Sequence, residues 1–182
     1  MGASDSPDAM FTPCSATSPE APKLGRVPTV RRNRTIAAPV EQLWELVSDP
    51  HHLPRWWPRV TRVEGVDGEA FTEVMRTRKG KIVRADFDLV AKNEQAHLLT
   101  WAQRVQGTPF ARVLSSAETD VCLAPADQST EVTIELRQTL AGYSPRFGLL
   151  AGLSPRIGGR MVRRAAERTL DEALDGLERI SV

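Results

Sequence analysis

Four polar side chains fall among apolar neighbours at strand-like spacing, and their chemistry needs explaining. They are Glu73 and Thr77 within Ala70–Arg78, Gln103 two residues from Trp101, and Gln138 within Thr130–Leu140. A carboxyl or amide removed from water needs a partner. In a filled core these groups would go unsatisfied, whereas around a cavity they could orient a ligand or assist a proton transfer. A slip of one residue would turn all of them outward. Covalent chemistry finds less support. There is no G-x-S-x-G, no catalytic cysteine context, and no glycine-rich loop leading from a strand into a helix. Gly158-Gly159 precedes a helix but follows a linker. His51 and His52 are adjacent, about 100° apart on a helix, and His97 stands alone, so no metal site and no cofactor are expected. The pattern suits a binder better than an enzyme.

Composition narrows the classes. The 182 residues are 41% hydrophobic and 26% charged, enough for one domain with a core. A net charge of +1 and a pI near 7.9 argue against a nucleic-acid partner. Cys14 and Cys122 are too few for a disulfide framework or a cysteine metal cluster. No apolar run approaches the ~18 residues of a membrane span. The N-terminus has neither a basic n-region nor an apolar h-region. Together these lead to an expectation of a cytoplasmic chain with no stable membrane insertion. Four lysines against many arginines and alanines give it a bacterial look. Met1, Gly2 and Ser6 match a myristoylation pattern only formally. Oligomeric state is not legible.

The positioning elements follow from periodicity. Residues 1–26, rich in Ser, Pro, Ala and Asp, read as a disordered tail, and residues 27–182 as the folded domain. Val27–Ile36 is a first strand whose Arg31, Arg32 and Arg34 imply a wet face. Ala38-Pro39 opens a helix through Val40, Leu43, Trp44 and Val47, and Asp49-Pro50 ends it. A second short helix or turn covers His51–Trp57. Strands follow at Val60–Val66, Ala70–Arg78, Lys81–Ala91, Ala96–Val105, Phe110–Leu123 and Thr130–Leu140. The turns include Asp67-Gly68, Lys79-Gly80 and Asn93-Glu94. The inward parity holds Phe71, Met75, Phe87, Leu89, Leu99, Trp101, Ile134 and Leu136.

A last helix, about Arg156–Ile180, carries one apolar stripe through Val162, Ala166, Leu170, Ala173, Leu177 and Ile180. At ~1.5 Å per residue it is a rod of roughly 37 Å that must lie on a sheet. Its charges run against the helix dipole. Arg156, Arg160, Arg163, Arg164 and Arg168 come first, and Asp171, Glu172, Asp175 and Glu178 come last. Local pairs Arg164–Glu167, Arg168–Glu172 and Asp175–Arg179 would recover a little. The early arginines either attract an anionic group or simply solvate a surface. Phe147, Leu149, Leu150 and Leu153, just before the helix, read as a lid or as packed loop residues. Tyr143 reads as lying near a cavity mouth.

The run Ile36-Ala37-Ala38-Pro39-Val40-Glu41-Gln42-Leu43-Trp44-Glu45-Leu46-Val47-Ser48-Asp49, followed by Leu53-Pro54-Arg55-Trp56-Trp57-Pro58, resembles the opening of the SRPBCC (START-like, polyketide cyclase/dehydrase) superfamily. The Met161–Ile180 helix is similar to that superfamily's closing helix. The resemblance spans roughly residues 27–181. It implies an α+β helix-grip fold. A seven-stranded antiparallel sheet wraps a long C-terminal helix around an apolar cavity, with two short helices after the first strand. It further implies binding or transport of a small hydrophobic or amphipathic ligand, such as a lipid, isoprenoid or polyketide-like molecule. The alternative is an aromatase/cyclase. A third reading is a non-catalytic interaction module using the basic start of the last helix. The expected ligand-binding residues are Trp57, Phe71, Glu73, Met75, Phe87, Trp101, Gln103, Leu136 and Gln138, with Val162 and Ala166 from the helix. No residue is assigned a catalytic role. A filled core with no cavity above about 300 Å³ would count against both the carrier and the cyclase.

Overall fold

The computed structural model describes residues 29–77, 79–141 and 155–181. The expected tail at 1–26, Cys14, Tyr143 and the apolar linker before the last helix lie outside the described residues. In chain order the elements are β1 (Thr29–Ile36), α1 (Val40–Ser48), a 3₁₀ turn (Pro50–His52), α2 (Leu53–Trp56), β2 (Val60–Glu64), β3 (Ala70–Arg76), β4 (Ile82–Asn93), β5 (Leu98–Gln103), a second 3₁₀ turn (Pro109–Arg112), β6 (Leu114–Ala126), β7 (Ser129–Leu140) and α3 (Pro155–Ser181). The strands form one seven-stranded sheet in the order β1-β7-β6-β5-β4-β3-β2. Every neighbouring pair is antiparallel. The last six strands are a meander, and β1 joins its far edge beside β7. Hence α1 and α2 must carry the chain from one sheet edge to the other.

Local chemistry fixes the ends. Val40, Leu43, Leu46 and Val47 give α1 a buried stripe. The buried Thr130 hydroxyl donates to the Ala38 carbonyl at 2.7 Å, tying β7 to the approach of that helix. Asp67 Oδ1 accepts from the Glu69 and Ala70 amides, and Gly68 takes φ 93° in the turn before β3. Asn93 accepts from the Ala96 amide in the turn after β4. The expected strand over Phe110–Leu123 begins later. Thr108 caps the Phe110 amide, Pro109 fits the first position of a helical turn, and the chain makes a 3₁₀ turn before β6 starts at Leu114.

The α3 helix packs on β1, β7, α1 and α2. Ala166, Leu170, Ala173, Leu174 and Leu177 are buried there. Gly176 meets α2 so closely that a Cβ would stand 2.8 Å from Trp56 Cα and 2.9 Å from its carbonyl carbon. The reversed charge order has a tertiary cause. Arg32 and Arg34 lie in register with Ile134 and Val132, whose side chains are fully buried, so these arginines share the concave face with them. From the sheet edge they meet the helix acids. Arg32 Nε donates to Asp171 at 3.0 Å, while Arg34 Nη1 donates to Asp175 at 2.5 Å and Glu178 at 2.9 Å. The expected pairs within the helix do not form; among the described residues the pair there is Arg163–Glu167 at 3.0 Å. Among the described residues Arg160, Arg164 and Arg168 enter no ion pair. No helix of the described residues is long and apolar enough to cross a membrane.

Candidate functional site

The alternation in β3, β4 and β5 turns Phe71, Phe87 and Trp101 to the same concave side. Phe71 pairs with Phe87 and stacks on it, with centroids 5.2 Å apart and planes 10° apart. Trp101 meets Phe71 edge-on at 6.4 Å. Trp57, delivered by the chain leaving α2, meets Trp101 edge-on at 5.8 Å, and Trp56 meets Trp57 at 5.3 Å. These offset and perpendicular geometries suit ring quadrupoles. They make a continuous aromatic band over β3, β4 and β5.

Beside the band is a partly enclosed hollow of about 140 Å³, bounded by Val47, Leu53, Phe71, Leu89, Leu99 and Trp101 among others. It is smaller than the ~300 Å³ at the low end of ligand pockets. Among the described residues a second, more open groove of about 420 Å³ runs along the ends of β5 and β6, past Gln103, Val105 and Ala117. The hollow lies between the sheet and the α1–α2 segment, through Val47 and Leu53, and the groove lies along the strand ends. A ligand of lipid size would need the aromatic side chains to give way, whereas a bicyclic molecule is closer to the size of the hollow.

Polar atoms are left over on this face. Glu73 is 1% exposed, between Phe71 and Met75 on β3, and its cross-strand partners are Val63 and Ala85. Its Oε1 has no hydrogen-bond partner. Burial alone pushes its carboxyl up to about 8, because the charged form is the one that loses solvation. Gln138 Oε1 and Trp56 Nε1 are likewise buried without partners. Such orphaned groups are uncommon and call for an explanation.

The structure brings together Trp57, Phe71, Phe87 and Trp101, with Glu73 and Met75 next along β3. Gln103 and Ala117 line the groove, and Ala117 is the cross-strand partner of Gln138. Leu136 lies on β7 opposite Thr119. Ala166 is buried in the main core, while Val162 packs on a separate cluster of Val105, Leu114 and Ala117. Thr77 is spoken for, since its Oγ1 accepts from the Lys81 amide in the turn to β4. His52 approaches Asp49 and Arg55, and His97 packs edge-on against Trp44 at 5.4 Å. No group of three or more His, Cys, Asp or Glu among the described residues is placed to hold a metal ion.

Lys92 and the helical residues Val47 and Leu53 on the hollow's wall do not appear in the residue set expected from sequence. A bulge between Leu89 and Ala91 reverses the parity of β4, so Lys92 falls opposite the inward Leu99. That reversal is invisible to an alternation count. Val47 was legible as an apolar helix position, but nothing in the spacing showed that α1 roofs this end of the sheet.

The chain belongs to the family described as polyketide cyclase/dehydrase and lipid transport, whose model matches residues 27–181. A search of curated protein sequences found none that matches. Among solved structures it is similar to the ZhuI aromatase/cyclase from Streptomyces sp. R1128, with a TM-score of 0.70 at 17% identity, covering 86% of this chain and 94% of that one. It is similar to the di-domain aromatase/cyclase StfQ of the steffimycin biosynthetic pathway, with a TM-score of 0.68 at 14% identity, covering 85% and 50%. It is also similar to a START superfamily protein from Mycobacterium smegmatis, with a TM-score of 0.63 at 18% identity, covering 84% and 96%. At these identities the likeness concerns the fold, which is the helix-grip of START-like proteins.

Proposed function

We propose that this protein binds a small hydrophobic or amphipathic molecule against the aromatic band, between the sheet and the α1–α2 segment. The observation that carries the reading is the partly enclosed hollow beside the aromatic band, walled by Val47, Leu53, Phe71, Leu89, Leu99 and Trp101. Apolar burial at ~25 cal/mol per Å² would supply affinity. Protein purified from its native host should carry a ligand visible by native mass spectrometry. Added bicyclic aromatics should quench tryptophan emission, and Trp101→Phe should remove most of that response. Absence of both a co-purified ligand and a quench would sink the reading.

An aromatase/cyclase is the second reading, favoured by the family's description and by a buried carboxyl beside aromatic walls. On that reading Glu73→Gln or Gln103→Ala abolishes turnover of a polyketide-like substrate while leaving its binding intact; unchanged turnover removes these residues from the chemistry. A third reading places an anionic surface against the start of α3. There Arg160, Arg164 and Arg168 recur at one-turn spacing without acidic partners among the described residues, beside Met161, which is 61% exposed. Co-sedimentation with phosphatidylglycerol vesicles, lost in R160E/R164E, supports it, and no co-sedimentation of the unaltered protein ends it.

A further inference from the structure

Among the described residues one charged side chain, that of Lys92, lines the otherwise largely apolar hollow. Lys92 is exposed as well, so it stands at the opening. Its Nζ lies 3.4 Å from a Glu94 carboxylate oxygen and 5.9 Å from the centre of the Trp44 ring. The Glu94 side chain is 75% exposed, and an ion pair of that kind contributes little and exchanges readily. Ser48 brings a second donor to the same opening. It lines the hollow one helical turn beyond Trp44 on α1, and its hydroxyl makes no hydrogen bond among the described residues. No acid among the described residues lines the hollow. Of the acids adjacent in sequence to lining residues, Asp49 turns to the His51 amide, Asp67 to the Glu69 and Ala70 amides and Asp88 to Arg104, while Glu69 is exposed. The C-terminal end of α1 presents about half a negative charge nearby, which the full charge of Lys92 outweighs.

Building on the ligand-binding reading above, we propose that the hollow takes small hydrophobic acids, with a bicyclic ring system inside and its carboxylate at the opening between Lys92 and Ser48. One carboxylate oxygen accepts from the Lys92 ammonium and the other from the Ser48 hydroxyl, so the ligand replaces Glu94 as the partner of Lys92. One cation and one hydroxyl match a monoanion with two acceptor oxygens, whereas a phosphate dianion would find too few donors. A neutral amide of the same shape fills the hollow equally well but forgoes the bond between opposite charges. A cationic amine meets Lys92 as a like charge. Ligands of one size are thus sorted by the charge of their head group.

The test uses the full chain with 1-naphthoate, 1-naphthamide and protonated 1-naphthylmethylamine as probes, and titration calorimetry at low salt as the readout. We expect unaltered protein to bind the carboxylate about fivefold or more tighter than the amide, with the margin narrowing as salt is added. Lys92→Met should bring that ratio close to one, and Ser48→Ala should narrow it by a smaller factor. Both positions are at least partly exposed, so neither substitution threatens the fold. Equal affinity of the unaltered protein for carboxylate and amide overturns the assignment while leaving the ligand-binding reading in place. So does a ratio that either substitution leaves unmoved, since the carboxylate then sits elsewhere, as on the arginines of α3. Tighter binding of the amine than of the carboxylate overturns it in favour of the α1 C-terminus as the anchor. Failure of every probe to bind overturns both.

Discussion

At the scale of single residues, Glu73 couples the site to folding. Its carboxyl titrates near 8 in the folded chain and near the ordinary carboxylate value when unfolded. Between those values the native state holds a proton that the unfolded state has released, so stability falls as pH rises. The contribution is fully present below the unfolded value, and it is lost as pH climbs through the folded one. Urea midpoints should therefore decline from about pH 5 to about pH 8, by the equivalent of a few kcal/mol. Glu73→Gln should flatten that decline, and a variant retaining the full slope would place the titration elsewhere. The placement of Glu73 and Gln138 on the concave side could be read from alternation, because the pairing register runs unbroken through both. The absence of a partner for either could not, since partners come from strands far away in sequence. Lys92 was hidden by a bulge and Thr77 by a turn, both of which reset parity locally.

At the scale of elements, α3 shows how tertiary contacts override local rules. Acids at the C-terminal end of a helix are disfavoured by about 0.3–1 kcal/mol each. Each half-exposed pair with Arg32 or Arg34 returns about 0.2–1 kcal/mol, enough to offset that penalty without adding much. Arg34→Met should thus cost only about 1 kcal/mol at low salt, with the loss shrinking as salt is added. Measured in a cycle with Asp175→Asn, the two substitutions should prove non-additive; strict additivity would mean that the pair contributes nothing. Gly176 is a second case. Helix propensity alone favours alanine there by about 1 kcal/mol. The Trp56 backbone lies where the methyl would go, and main chain yields poorly, so Gly176→Ala should instead destabilise by about 1–3 kcal/mol. Thermal unfolding distinguishes the signs. The helix itself was legible from its stripe, but neither its arginine clamp nor its closest contact could be, because both depend on residues more than 100 positions away.

At the scale of the molecule, the meander of six strands was readable from turn residues and alternation, and the family pattern implied a seventh strand in the same sheet, but its place beside β7 came only with the structure. The volume left between the α1–α2 segment and the sheet was not readable, because it depends on how the Trp57, Trp101 and Phe71 rings settle against one another. That arrangement makes the site a matter of size as well as polarity. The hollow of about 140 Å³ ends at Trp101, and the half-buried Trp57 packs on the far side of that ring. Truncating Trp57 leaves Trp101 free to move aside, at a cost in stability of about 3 kcal/mol or less, because the ring is not fully buried. Unaltered protein should then prefer the bicyclic 1-tetralone over the tricyclic anthrone, and Trp57→Ala should move that ratio toward anthrone by about tenfold or more. At a ligand concentration of about 100 times Kd, the preferred ketone should stabilise each protein by about 2.7 kcal/mol, so a thermal shift reads the same selection without a label. If the ratio is unchanged in Trp57→Ala while both ketones still bind, the ligand does not lie under the aromatic band, and the open groove past Gln103 and Ala117 becomes its seat.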